Sequence, residues 1–143
     1  VLACHGTPAD DLTYALEVVA GPHHLRPATA VEASARIGAT PGAGLNRCGH
    51  SHLARMVRLP DGRLVLNPGS VGHPAYTDTE PHPHVVFAGT PHARYAMAER
   101  APAGWSAEFI ALPYDWDAAA ADARAAGRED WAQALATGQL DPA

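Results

Sequence analysis

The spacing of apolar positions changes several times along the chain, and each change marks an element. Val1 to Cys4 is a short apolar run that reads as a buried strand. Thr7 to Asp11 reads as a turn with the start of a helix, capped by Asp10 or Asp11. Leu12, Ala15, Leu16 and Val19 then recur at helical spacing, and Gly21-Pro22 ends that helix. His23 to Pro27 reads as loop. Thr29 to Ile37 is predicted as a second short helix, with Thr29 as N-cap and Glu32 completing a capping box. A Gly/Pro-rich connection covers Gly38 to Gly44.

Leu45 to Cys48 reads as another strand, and Gly49 to His52 as the turn that leaves it. A β-hairpin follows: Leu53 to Leu59, the turn Pro60-Asp61-Gly62, then Arg63 to Leu66. Val85 to Ala88, Ala93 to Ala98 and Ser106 to Leu112 are predicted as three further, antiparallel strands. Trp116 to Ala126 is an alanine-rich helix broken by Gly127. Glu129 to Thr137 is a last helix, with Trp131 and Leu135 on one face. This order predicts an α/β layered fold with a partly antiparallel sheet. There is no internal repeat and no clear domain linker.

Composition narrows the picture. At 143 residues the chain is the size of one domain. A hydrophobic fraction of 47% excludes a disordered chain, although much of it is alanine. No apolar run approaches the ~20 residues of a membrane span, and no N-terminal stretch has the build of a signal peptide. Net charge is −5, lysine is absent, and all ten basic residues are arginines scattered along the chain. A duplex nucleic-acid footprint needs such charges clustered on one face, so duplex binding is not expected. The lysine-free, Ala/Gly/Pro/Arg-rich composition points to a high-GC bacterial genome. Cys4 and Cys48 make no disulfide framework and are expected as free thiols in a reducing cytoplasm. Val1-Leu2-Ala3-Cys4 reads as a strand already under way. The chain is therefore expected to be a piece of a longer protein.

The candidate chemistry sits at three strand-to-loop junctions. Cys4-His5-Gly6 ends the first strand. Arg47-Cys48-Gly49-His50-Ser51-His52 ends the second, and Asn67-Pro68-Gly69-Ser70-Val71-Gly72 follows the hairpin. Neutral imidazole is a good ligand for Zn, Mn, Fe or Ni. In an extended segment, residues i and i+2 point the same way. At a Gly-opened turn, His50 and His52 can diverge enough to reach two ions. Taken alone, an HxH pair is more often surface decoration, and the Asn67–Gly72 segment reads equally well as an ordinary tight turn. A rival pair, His82-Pro83-His84, lacks the glycine and lies in a Pro-rich loop near His73 and His92. It reads as a solvated pocket rim. His23-His24 is a similarly weak signal.

These three elements, in this order, resemble the C-terminal half of the calcineurin-like metallophosphoesterases, and the small bacterial phosphodiesterases among them most. The resemblance covers about Val1 to Tyr114. It implies a partial four-layer α/β/β/α sandwich, with residues 1–143 forming the C-terminal half of one domain. It also implies that His5 and His50 ligate one metal ion and His52 the other. The cofactor would be divalent metal, Mn²⁺ first, with Fe, Ni or Zn as alternatives. Asn67 and Ser70 would line the substrate pocket. The partner would be a small phosphate-ester substrate, with no membrane and no duplex nucleic acid, and a homo-oligomer is left open. The family's Asp-x-His, Gly-Asp and Gly-Asn-His elements do not occur here, so no catalytic residue is assigned in this chain. Three imidazoles carry no negative charge and cannot hold two dications close together, so the chain alone should bind at most one metal well. Two rival readings are a non-catalytic metal-binding or interaction module on the same fold, and a mononuclear zinc enzyme using His5, His50 and His52.

Overall fold

A computed structural model describes residues 1–141. Its elements are β1 (Leu2–Ala3), β2 (Glu17–Gly21), β3 (His24–Pro27), α1 (Ala30–Ile37), β4 (Leu45–Arg47), β5 (Arg55–Arg58), β6 (Leu64–Asn67), β7 (Ala75–Asp78), β8 (His84–Phe87), β9 (Ala93–Ala101), β10 (Gly104–Leu112), α2 (Trp116–Ala125) and α3 (Glu129–Thr137). None of these helices is long and apolar enough to cross a membrane.

The central sheet has the order β1-β4-β6-β5. β1, β4 and β6 run parallel, and β5 returns antiparallel to β6 through the Asp61-Gly62 turn. β6 is buried at every position, as an inner strand with both faces covered should be. One face packs Val65 with Ala15, Leu16, Ala33, Ile37, Cys48 and Leu59. The other packs Leu45, Leu64 and Leu66 against Ala96, Trp105, Ala107 and Phe109 of the β9–β10 ribbon. The fold is therefore mixed α/β with a partly antiparallel sheet, as the sequence pattern predicts. β1 forms the sheet edge, and Val1 is 66% exposed. Beside that edge a cavity of about 550 Å³ opens between sheet and ribbon, lined by Val1, Ala3, Leu45, Leu66, Tyr95 and Trp105.

The capping box at α1 forms as predicted. Thr29 accepts from the Glu32 amide, and Glu32 accepts from the Thr29 amide. α2 and α3 make a hairpin through Ala120, Ala132 and Leu135, and α3 packs beside β7.

The helix expected over Leu12–Val19 does not form. Asp10 binds the Leu12 amide at 2.9 Å and the Thr13 hydroxyl at 2.7 Å, fixing a turn where a helix would start. Asp10 is thus a turn residue and not a helix cap. Downstream, Arg36 donates to the carbonyls of Tyr14 and Glu17, and Arg55 to those of Leu16 and Ala28. These guanidinium groups take carbonyls that a helix would have used itself. Val18 and Val19 then join β2, and Pro22-His23 turns it back into β3 where loop was expected. β7, which the sequence pattern left unassigned, pairs antiparallel with β8.

Candidate metal centre

β1, β4 and β6 are parallel, so their carboxyl ends open on the same side of the sheet. His5 follows β1, the Gly49–His52 turn follows β4, and Asn67 closes β6. The turn is tied to both neighbouring loops. The Gly49 amide donates to the His5 carbonyl at 2.7 Å. Asn67 Nδ2 donates to the Gly49 carbonyl at 2.7 Å and to Ser51 Oγ at 3.0 Å. The Ser51 amide closes back on the Gly49 carbonyl at 2.7 Å.

His50 and His52 both have left-handed backbone, with φ of 61° and 59°. The pair is thus not an extended i, i+2 pair. Two non-glycine residues in this region are uncommon and persist only when their surroundings over-determine them. Here Ser51, fully buried between them, supplies the anchor.

The His5 and His50 ring centroids lie 5.0 Å apart. The Tyr14 ring packs on His50 at 4.8 Å. His52 lies 5.1 Å from Tyr76 and 5.7 Å from His73. His52 Nδ1 is 2.8 Å from the His73 carbonyl, which can only accept. Nδ1 therefore carries the proton, and Nε2 keeps its lone pair for a ligand bond. His50 and His52 line a cavity of about 680 Å³ together with Arg128, Asp130 and Trp131 at the start of α3. Trp131 lies between the His73 ring at 4.5 Å and the Arg128 guanidinium at 4.7 Å.

No family model and no curated protein matches the chain. Solved structures do. A metallophosphoesterase from Sphaerobacter thermophilus superposes with a TM-score of 0.60 at 22% identity, covering 96% of this chain and 54% of that one. A hypothetical protein from Pyrococcus horikoshii OT3 superposes with a TM-score of 0.61 at 17% identity, covering 97% of this chain and 46% of that one. The fold is metallophosphoesterase-like. The chain spans about half the length of each of these structures.

On this metallophosphoesterase-like fold the donor set is imidazole alone. His5, His50 and His52 suit a borderline divalent ion in kind. The carboxylates whose charge reaches His50 are Asp78 and Asp10. Both are committed to turns, Asp78 to the Thr79 and Glu80 amides and Asp10 to Leu12 and Thr13. Among the described residues no group of three or more His, Cys, Asp or Glu side chains is arranged to hold a metal ion. The histidines fit one part of a metal site, and the charge needed for two dications is not among them.

Burial lowers the pKa of His50, with the nearby His5 adding to the shift. Burial also lowers His52, against the opposing hydrogen bond to His73, and it lowers His73. All three are therefore neutral at pH 7, the form that binds metal. Between their lowered midpoints and the ordinary 6.5, the unfolded chain holds more protons than the folded one. Their contribution to stability is then full above about pH 6.5 and is lost as pH falls through that window. An NMR titration of the imidazole Hε1 signals is expected to give midpoints below 6.5 for His50, His52 and His73. Midpoints above 6.5 would contradict the packing described here.

Asn67 and Ser70, expected at the pocket wall, are not among the residues lining this cavity. Asn67 is fully buried beneath the turn, and Ser70 Oγ accepts from the His73 amide at 3.0 Å. The rival pair also divides. His82 is exposed, but His84 is buried and bonded to Tyr14, so the reading of both as rim fails for His84. His92 sits against Trp116, away from this cavity. Sequence reasoning missed Tyr14 by placing it on a helix, and Tyr76 by assigning no strand to it. The alternation Ala75-Tyr76-Thr77 was the available signal for β7.

Proposed function

We propose that this chain is the histidine-bearing half of a metal-dependent phosphoesterase, acting on phosphodiesters with two divalent ions, Mn²⁺ first, in the full-length parent. The observation that carries the reading is the His5–His50 contact at 5.0 Å, beside His52, at the carboxyl ends of parallel strands in a metallophosphoesterase-like fold. His5, His50 and His52 would hold part of the metal centre, which would supply charge to the phosphoryl oxygens and acidify the attacking water. The chain's own residues supply three imidazole donors, His50 and His52 from the Gly49–His52 turn and His5 from the loop after β1. Tyr14 packs on the His50 ring and Tyr76 against the His52 ring. The cavity reaching Trp131 leaves room for an ester arm beyond the phosphate.

The test is the chain expressed with its upstream coding sequence, assayed with bis(4-nitrophenyl) phosphate. Nitrophenolate release is expected to require Mn²⁺ or a similar ion and to stop on chelation. A second reading, a non-catalytic metal-binding module, draws on the all-imidazole donor set. Tight metal binding without any diester or monoester turnover in that longer protein would favour it.

A further inference from the structure

A chain of buried and half-buried hydrogen bonds connects the Pro-rich loop to the Gly49–His52 turn. His84 is 2% exposed. Its Nδ1 lies 2.7 Å from the His82 carbonyl, an acceptor only, so Nδ1 holds the proton and Nε2 the lone pair. The Tyr14 hydroxyl is 3.0 Å from that Nε2 and donates to it. The single Tyr76 hydroxyl proton is shared in a three-centre bond between Tyr14 Oη at 2.8 Å and the His50 carbonyl at 3.0 Å. Burial pushes the Tyr14 hydroxyl up to about 12 and Tyr76 higher still, so both stay protonated donors. The Tyr14 ring also packs on the His50 ring, and edge-on to His84 at 5.6 Å. Tyr76 from β7 and Tyr14 from the segment before β2 thus meet on one residue of the turn, and His84 from β8 backs Tyr14.

That residue is in left-handed backbone, which His50 adopts only under restraint. Its carbonyl is the atom the network grips. We propose that His84 is a positioning residue for the metal centre, acting through Tyr14 and Tyr76 on the His50 carbonyl to hold the turn that aims His50 and His52. The functional meaning rests on the metal-centre reading above. The mechanical claim, that the network fixes the turn, does not.

The experiment uses the full chain as wild type and as Tyr76→Phe, His84→Leu, His84→Gln and His82→Ala. Two readouts are taken: amide hydrogen exchange at Ser51, whose N–H closes the turn, and Co²⁺ affinity from visible absorption. Tyr76→Phe and His84→Leu are expected to speed Ser51 exchange about five- to ten-fold, the worth of one buried hydrogen bond. They are also expected to weaken Co²⁺ about ten-fold or more, as loss of a supporting contact does at metal sites. His84→Gln offers Tyr14 a carboxamide oxygen and is expected to recover most of both. His82→Ala leaves the backbone acceptor in place and should match wild type. Ser51 exchange within two-fold of wild type in Tyr76→Phe overturns the proposal. So does acceleration by the same factor at the β4 and β6 amides, which would show general loosening. Should His84→Leu fail to fold, Tyr76→Phe removes a single oxygen and still decides. If wild type takes up no Co²⁺, the metal reading of this chain fails, while Ser51 exchange still judges the network.

Discussion

Replacing His50 with alanine in the full-length protein is expected to lower Mn²⁺-dependent diester hydrolysis on the order of 100-fold or more. Supporting residues around metal sites cost about 10- to 100-fold when lost, and a direct donor should cost at least as much. His50 carries more than its own nitrogen. Its ring lies between His5 and Tyr14, so its removal opens space on both sides. The donor pair with His5 is lost, and the turn loses the packing that restrains it. His82→Ala is the internal control, because that side chain is exposed and only its backbone carbonyl is used. kcat/KM at saturating Mn²⁺ for both variants, with folding checked by circular dichroism, gives the comparison. Equal activities would mean that the Gly-His-x-His turn is not the working site. A strong loss only in His82→Ala would move that site to the Pro-rich loop.

A second large effect is expected at Gly6, next to His5. A Cβ built there would stand 2.5 Å from the Asp11 carbonyl oxygen, 2.6 Å from that of Thr13 and 2.8 Å from that of Asp10. These are backbone atoms of a turn locked by Asp10 and Thr7, so no flexible side chain can yield. Gly6→Ala is expected to cost about 3 kcal/mol, at the upper end for overpacking. Gly49 is different, since a Cβ there meets the His5 carbonyl at 3.5 Å and His5 Nδ1 at 3.9 Å, both ordinary contacts. Gly49→Ala is therefore expected to be far milder, although both glycines flank suspected ligands. Urea denaturation of the two variants measures the difference. A Gly6→Ala midpoint close to wild type would show that the 10–13 turn gives way easily.

The elements legible in the sequence are those decided locally. The Thr29–Glu32 capping box and the Asp61-Gly62 hairpin are each written within a few residues, and both form. The segment before β2 is not local in this sense. Arg36 and Arg55, distant in sequence, claim its carbonyls and override a sound helical period. The site divides along the same line. His5 and His50 stand out because each sits beside a glycine at a strand end, and His52 because it follows His50 at i+2. His84 did not, because what buries it is Tyr14, 70 residues earlier in the chain, and the pairing of β8 with an unrecognised β7. A histidine in a Pro-rich loop looks solvated until its distant partner is known.

The two-residue edge strand β1 has a kinetic consequence. It is the first strand of the chain, yet its partner Asn46 opposite Leu2 comes only after two hairpin strands and a helix. Closing so long a loop costs entropy before two residues of pairing can offset it. β1 should therefore dock late in folding and fray first, and His5 travels with it. The full histidine set then exists only in molecules whose edge strand is closed. An ion that needs all three would act as a clasp on that strand, stabilising the closed edge by mass action and slowing its opening.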